Sequence, residues 1–477
     1  MKIDDFLQLE NKYNLLNIQI DGVKVWRYVR VTIWNFMICT KKFDLSNPVG
    51  TNPQKRFQGI SNIWALIRSS INSLKIRKIH YDICFLDHSR RLKLDEYYTC
   101  IYTEKLSEIF KNSITLESPF GYKHFKPIKN KNILYVDYPK LMVEILYAIN
   151  VRLHTKYYKH LRKRIIAQFE RVLNELILVY GIELNKEKIY DELTRAVIVV
   201  KIQRPYYKRL LKKISPRLIV EVVHYSLKCM LINELAHGMG IKTIELQHGT
   251  IYPEHLAYQY KRNEKIEQLP DYLFTFSSYW HEIINLPEKS TKIISTGFPF
   301  FEEQLIQHNK TNNIISSKTN ILFISQGTIA KQLIELALLL NSKIDKNKYT
   351  IIYKFHPSEY TGWEIRYPDL QNSDIVIPTQ NIGLYELFAK SRIQIGVYST
   401  AIYEGVGFGL DTYIYNIAYA DCMQKLVEMG VAEYVDSVEE ILCKLNIEKD
   451  IKDIKSLLWK SDALKNICKE INYLLSI

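Results

Sequence analysis

Apolar positions along the chain fall into two successive series of short strand-like runs alternating with helical stretches, which predicts an α/β protein built on parallel sheets. The first clear strand is 81–86 (YDICFL), which breaks into the polar loop Asp87, His88, Ser89, Arg90, Arg91 ahead of a helix expected over 98–111. Strands at 114–116 and 133–136 and a helix at 141–149 continue the alternation. PRLIVEVVHY reads as a buried strand, SLKCMLINELAHGMG as a helix stopped by Gly238 and Gly240, and IKTIELQHG as the next strand. PDYLFTFSS and KIISTG add two more strands before the polar stretch 307–320. The second series has strands at 321–325, 350–354, 375–377, 393–397 and 412–415, with helices between them and at the end of the chain. The expected organisation is a helical, peripheral segment at 1–74, a first Rossmann-like unit at 75–306 with a helical insertion near 153–213, and a second Rossmann-like unit at 318–477.

Open α/β sheets bind ligands at the carboxyl ends of their strands, and four such ends carry groups that a core strand would not place there. In IIYKFHP the apolar run ends in Lys354, Phe355, His356 and Pro357, so a cation, an imidazole and a strand-stopping ring arrive together. In IQIGVYSTAIYEG the strand delivers Tyr398, Ser399 and Thr400 to a helix start, with Glu404 in the first turns. Hydroxyls and free backbone N–H groups at a helix start suit a phosphate. In ISQGT, Gln326, Gly327 and Thr328 lead into an apolar helix, although the single glycine makes neither a Walker A loop nor G-x-G-x-x-G. The first series has its own polar end, Gln247, His248, Gly249 and Thr250, where glycine is expected to let the chain turn sharply and leave room for a ligand. His224 in VVHY is the alternative histidine, read as a buried partner.

Composition narrows the setting. At 477 residues, 47% apolar and 24% charged, the chain is globular and long enough for two or three domains. A net charge of +14 favours anionic partners, whether nucleic acid, acidic lipid, nucleotide or polyanionic glycan. The helical stretch 153–211 holds KYYKHLRKR and KIQRPYYKRLLKK, read first as a solvated face, then as contact with an anionic membrane or acceptor. Nucleic acid ranks last, since no nucleic-acid module accompanies these runs. In VKVWRYVRVTIWNFMI tryptophans alternate with cations, as in a helix lying on anionic lipid or, the commoner case, one docked on its own domain. Seven single cysteines without zinc spacing, an acidic N-terminus and no apolar run of about 18 residues predict a cytoplasmic protein with peripheral membrane contact at most. No metal site is expected, because no D-x-D is present.

Two α/β halves, with QHGT in one and KFHP followed by VYSTAIYEG in the other, resemble bacterial GT-B transferases of surface polysaccharide synthesis. These include capsule polysaccharide synthesis proteins, CDP-glycerol glycerophosphotransferases and HP-motif sialyltransferases. The resemblance covers roughly 216–434 and implies two Rossmann-like domains facing each other across a cleft. It implies a glycosyltransferase that moves an acidic sugar from a CMP-activated donor to a capsule or lipopolysaccharide glycan, requiring no cofactor or metal beyond that donor. By it, His356 and Pro357 form the HP motif on the donor phosphate, with Ser399 and Thr400 holding the same phosphate and Glu404 the ribose. His248 corresponds to a proposed catalytic base. Lys354, Tyr398, Gln326, Gly327 and Thr328 complete the donor side, and Gln247, Gly249, Thr250, His88 and Arg90 the acceptor side. One departure stands out: the teichoic enzymes carry an acid before Tyr-Ser, and here that position is Val397. This tilts the reading from a polyol-phosphate donor, its nearest alternative, toward a glycosyl donor. A non-catalytic nucleotide-binding assembly protein is the remaining reading.

Overall fold

The computed structural model describes residues 2–42, 67, 69–71, 73–74, 78–88, 91–120, 123–182, 184–309, 319–445 and 455–477. The chain contributes β1 (Ile83–Leu86), a hairpin of β2 (Leu92–Leu94) and β3 (Tyr97–Thr99), β4 (Ser113–Glu117), β5 (Ile133–Tyr135), β6 (Leu218–Glu221), β7 (Lys242–Leu246), β8 (Tyr272–Thr275) and β9 (Lys292–Ser295). Apart from the hairpin these strands form one parallel sheet in the order β5-β4-β1-β6-β7-β8-β9. A second parallel sheet is built from β10 (Thr319–Ile324), β11 (Tyr349–Lys354), β12 (Ile393–Gly396), β13 (Asp411–Tyr415) and β14 (Ala432–Val435), in the order β11-β10-β12-β13-β14. Each sheet is wound with helices on both faces, giving the two Rossmann-like α/β units that the sequence predicts.

Strands buried on both faces are built mainly from apolar residues, as in ICFL and in LIVE up to its final Glu221, which is buried and accepts from Asn233 Nδ2 at 2.7 Å. Alternation then sorts them. Ile83, Phe85, Leu218, Val220, Ile244 and Phe274 pack on one face against Ile467, Ile471 and Leu474 of the final helix, Ala463–Ser476. Cys84, Leu86 and Ile219 face the large core on the other side. The final helix therefore lies on the first sheet, although it follows the second unit in sequence and was expected within it. Its amphipathic pattern demands a covering surface without naming which sheet provides it.

Three local expectations change. The helix expected over 98–111 is the β2–β3 hairpin followed by the short helix Glu104–Ile109. Asp95 at φ 54 turns the hairpin in a left-handed conformation that aspartate tolerates. The strand expected at 375–377 is reduced to a single bridge between Ile352 and Val376. The tryptophan-rich helix Val25–Lys42 is docked within its own domain, which overturns the lipid-facing alternative for it. Trp26, Arg30 and Trp34 are buried, and Arg30 grips buried Glu10 through Nε–Oε1 at 2.8 Å and Nη2–Oε2 at 2.7 Å. The same guanidinium donates to the carbonyls of Leu256 and Gln259, tying the N-terminal helices to the loop that follows β7. Among the described residues no helix is long and apolar enough to cross a membrane.

Candidate functional site

The carboxyl ends of β7 and β12 meet. Thr250 donates its backbone N–H to Thr400 Oγ1 at 3.0 Å, and the two hydroxyls are also 3.0 Å apart. Gly249 has no positive φ, so its value is close approach: a Cβ there would stand 3.2 Å from Thr400 Oγ1. Further along the interface Tyr279 and Tyr403 bring their hydroxyls to 3.4 Å, Trp459 Nε1 donates to the Tyr403 carbonyl, and Lys425 pairs with Glu282 at 2.7 Å. Polar strand ends from both sheets thus open onto one interface.

On the first half, His248 leaves β7 half-buried among rings. Its Nε2 lies 3.3 Å from Tyr225 Oη, its ring stacks 6.2 Å from that of His88, and its carbonyl accepts from Tyr102 Oη at 2.8 Å. Nδ1 is buried without a hydrogen-bond partner. Burial lowers the His248 pKa to about 4, with Glu245 opposing, so the imidazole is neutral and able to accept a proton. Beneath it lies a fully buried pair, His224 Nδ1 to Glu245 Oε2 at 2.5 Å, with Tyr258 Oη donating to Glu245 Oε1 at 3.0 Å. His224 is thus the buried partner that the sequence indicated. The preceding residue, Val223, sits at φ 65, where a β-branched side chain is strained, and such strain concentrates at working sites. Gln247 braces the loop rather than facing a ligand, with Oε1 accepting from Phe276 N at 2.8 Å and Nε2 donating to the Gly249 carbonyl. Arg90 lies outside the described residues.

Farther along the same sheet edge, Asp87, Arg91, Glu104, Glu117, His124 and Asp137 form a buried charge network in which Arg91 pairs with Asp87, with Glu117 at 2.8 Å and with Glu104 at 3.3 Å. His124 bridges Glu117 and Asp137; burial alone would lower its pKa, but these two carboxylates outweigh it and raise it to about 9. Periodicity gives no hint of this network, because its members come from five separate segments.

On the second half, the HP turn is held by a residue that sequence reasoning missed. Glu359, fully buried, accepts from the His356 backbone N–H at 2.9 Å through Oε2 and from Ser325 Oγ at 3.1 Å through Oε1. It ties the loop after β11 to the end of β10. A lone glutamate three residues after a histidine carries no recognisable pattern, so nothing in the sequence marks it. Ser358 steadies the His356 ring at Nδ1, through its Oγ at 2.7 Å and its backbone N at 3.3 Å. Pro357 is exposed beside it. Thr328 and Tyr398 hydrogen-bond to each other through their hydroxyls, joining the ends of β10 and β12, and Tyr398 packs on Tyr419 with ring centroids 5.2 Å apart. Gly327 lies in the same turn as Gln326, whose Oε1 is buried and unpartnered.

Four more of the expected donor groups have structural partners. Lys354 Nζ donates to the carbonyls of Ile382 at 2.8 Å and Thr379 at 3.3 Å, anchoring a loop. Ser399 caps the helix Thr400–Gly407 by accepting from Ala401 N at 3.2 Å, while Thr400 bridges the halves. Glu404 accepts from Tyr385 Oη at 2.9 Å, and burial pushes its pKa up to about 7 against that hydrogen bond.

No protein-family model matches the chain, and no curated protein does. Solved structures do resemble it. The UDP-GlcNAc 2-epimerase of Methanocaldococcus jannaschii shares 12% identity over 83% of this chain and 100% of that one, with a TM-score of 0.46. The wall teichoic acid polymerase TagF shares 11% over 88% and 99%, at 0.44. A UGT transferase from Siraitia grosvenorii in complex with UDP shares 8% over 83% and 100%, at 0.46. The likeness is one of architecture.

Proposed function

We propose that this protein is a nucleotide-dependent glycosyltransferase of surface-glycan assembly, moving an acidic sugar from a CMP-activated donor to a capsule or lipopolysaccharide glycan by inverting displacement. The observation that carries the reading is the meeting, at a single interface, of the end of β7, which bears His248, with the end of β12, whose Ser399 and Thr400 open a helix in the sheet that also carries His356 after β11. In this mechanism the second half holds the donor. The His356 imidazole, the backbone at the end of β10 and the N-terminus of the helix after β12 stabilise the departing phosphate. From the first half, neutral His248 takes the proton of the acceptor hydroxyl as that oxygen attacks the anomeric carbon. The negative charge of a bound donor would raise the basicity of His248 toward neutrality.

Val397 is almost wholly buried, so the position where the teichoic enzymes carry an acid is a core contact here, which supports a glycosyl over a polyol-phosphate donor. The test is the product formed from CMP- and CDP-activated donors with a lipid-linked glycan acceptor, in the presence of EDTA. The expected result is acceptor-dependent nucleotide release and a new glycosidic bond, undiminished by chelation. A phosphodiester product would assign the polyol-phosphate reaction instead. Nucleotide release without acceptor would point to a hydrolase or epimerase, and binding without turnover to an assembly protein.

A further inference from the structure

The ring of His248 depends on one hydrogen-bonding partner. Tyr225 Oη lies 3.3 Å from Nε2, Nδ1 is buried without a partner, and among the described residues the imidazole makes no other hydrogen bond. A ring-to-ring contact with His88, 6.2 Å between centroids, fills space but directs neither nitrogen. The orientation of the imidazole therefore rests on a single phenol.

That phenol is held from the strand that leads to His248. Glu245, fully buried on β7, accepts the His224 backbone N–H through Oε1 at 3.1 Å, and its Oε2 lies 2.5 Å from His224 Nδ1. One carboxylate thus grips the residue before Tyr225 by backbone and ring together. On the other side, Ser226 donates its backbone N–H to the Val223 carbonyl at 3.0 Å and caps the helix Leu227–His237 by accepting from Cys229 N at 3.2 Å. Tyr225 is pinned through both neighbours, and its ring meets those of His224 and His255 edge-on at 5.4 and 5.2 Å. The turn that achieves this holds Val223 at φ 65, a costly conformation for a β-branched residue. Such strain persists where the surroundings over-determine it, and a turn that only joined β6 to its helix would be better served by glycine.

We propose that Tyr225 is the positioning residue of the base: its hydroxyl sets the rotation of the His248 imidazole, and Glu245, through His224, sets Tyr225. A base works at full rate only when a third group orients it and the reacting atoms are aligned. The role deepens the reading of His248 as the base and rests on it.

The test is Tyr225→Phe in the full chain, which keeps the packed ring and removes only the hydroxyl. It should lower kcat by about tenfold and leave the KM values of donor and acceptor unchanged. In a His248→Ala background it should cost nothing further, because residues that act through one another are not additive. The nitrogen-15 resonances of the His248 imidazole, assigned by their loss in His248→Ala, should shift in Tyr225→Phe, which reads the contact without turnover. Wild-type kcat in Tyr225→Phe, with His248→Ala impaired, overturns the positioning role and leaves the base in place. An equal loss in both backgrounds overturns it as well, since the hydroxyl would then act on the fold at large, and so do unmoved imidazole resonances. Full turnover in His248→Ala is a different failure: it removes the base, and the positioning role with it.

Discussion

Replacing His248 by alanine is expected to lower turnover by roughly 10²–10⁴-fold, the usual contribution of a positioned general base. Nucleotide binding should survive, since the donor groups lie on the other half. His248 has few obligations to the fold: its side chain approaches Tyr225 Oη at 3.3 Å and leaves Nδ1 unpartnered. The pH profile separates a base from a spacer. Burial lowers the pKa of the free imidazole to about 4, so the acid limb of kcat/KM belonging to this group should lie below about pH 5, with a plateau above it. Steady-state kinetics on the folded variant decide the matter, and wild-type turnover in His248→Ala would remove the histidine from the mechanism.

Arg30→Ala should destabilise the protein by about 3–5 kcal/mol, the cost of breaking a buried ion pair and stranding its partner. Arg30 and Glu10 are both buried, and the indole N–H of Trp26 also donates to Glu10, so the carboxylate has no route to water once the guanidinium is gone. The loss reaches the site as well, because Arg30 holds the carbonyls of Leu256 and Gln259 just beyond His255 and the ring cluster around His248. Urea denaturation checks it. The double change Glu10→Leu with Arg30→Met should recover much of the deficit, since an apolar pair of similar volume removes the stranded charge. A single-variant loss below about 1 kcal/mol would show that the pair is not the anchor described.

What the sequence disclosed is the set of strand ends. KFHP and VYST are legible because the strands before them are mostly apolar, so a cluster of lysine, histidine or paired hydroxyls marks the point where the chain leaves the sheet. What those side chains do was less legible. Lys354, Ser399 and Gln247 look like ligand groups in sequence and brace loops or a helix in space. The bond between Thr250 and Thr400 joins residues 150 apart, and no local pattern encodes it. Trp26 and Arg30 show the opposite failure: an aromatic and cationic stripe looks the same whether it faces headgroups or a buried glutamate. The partner Glu10 lies in a separate helix, and only the tertiary fold brings it close.

The measurement that bears most directly on the central account is the melting temperature of the wild type, His248→Ala and His356→Ala with CMP, CDP, UDP or GDP. Ligand that binds only the native state raises it. The account predicts that a cytidine nucleotide stabilises the wild type and His248→Ala alike and His356→Ala far less. Equal stabilisation of His356→Ala, or none of the wild type by any of the four, would contradict it.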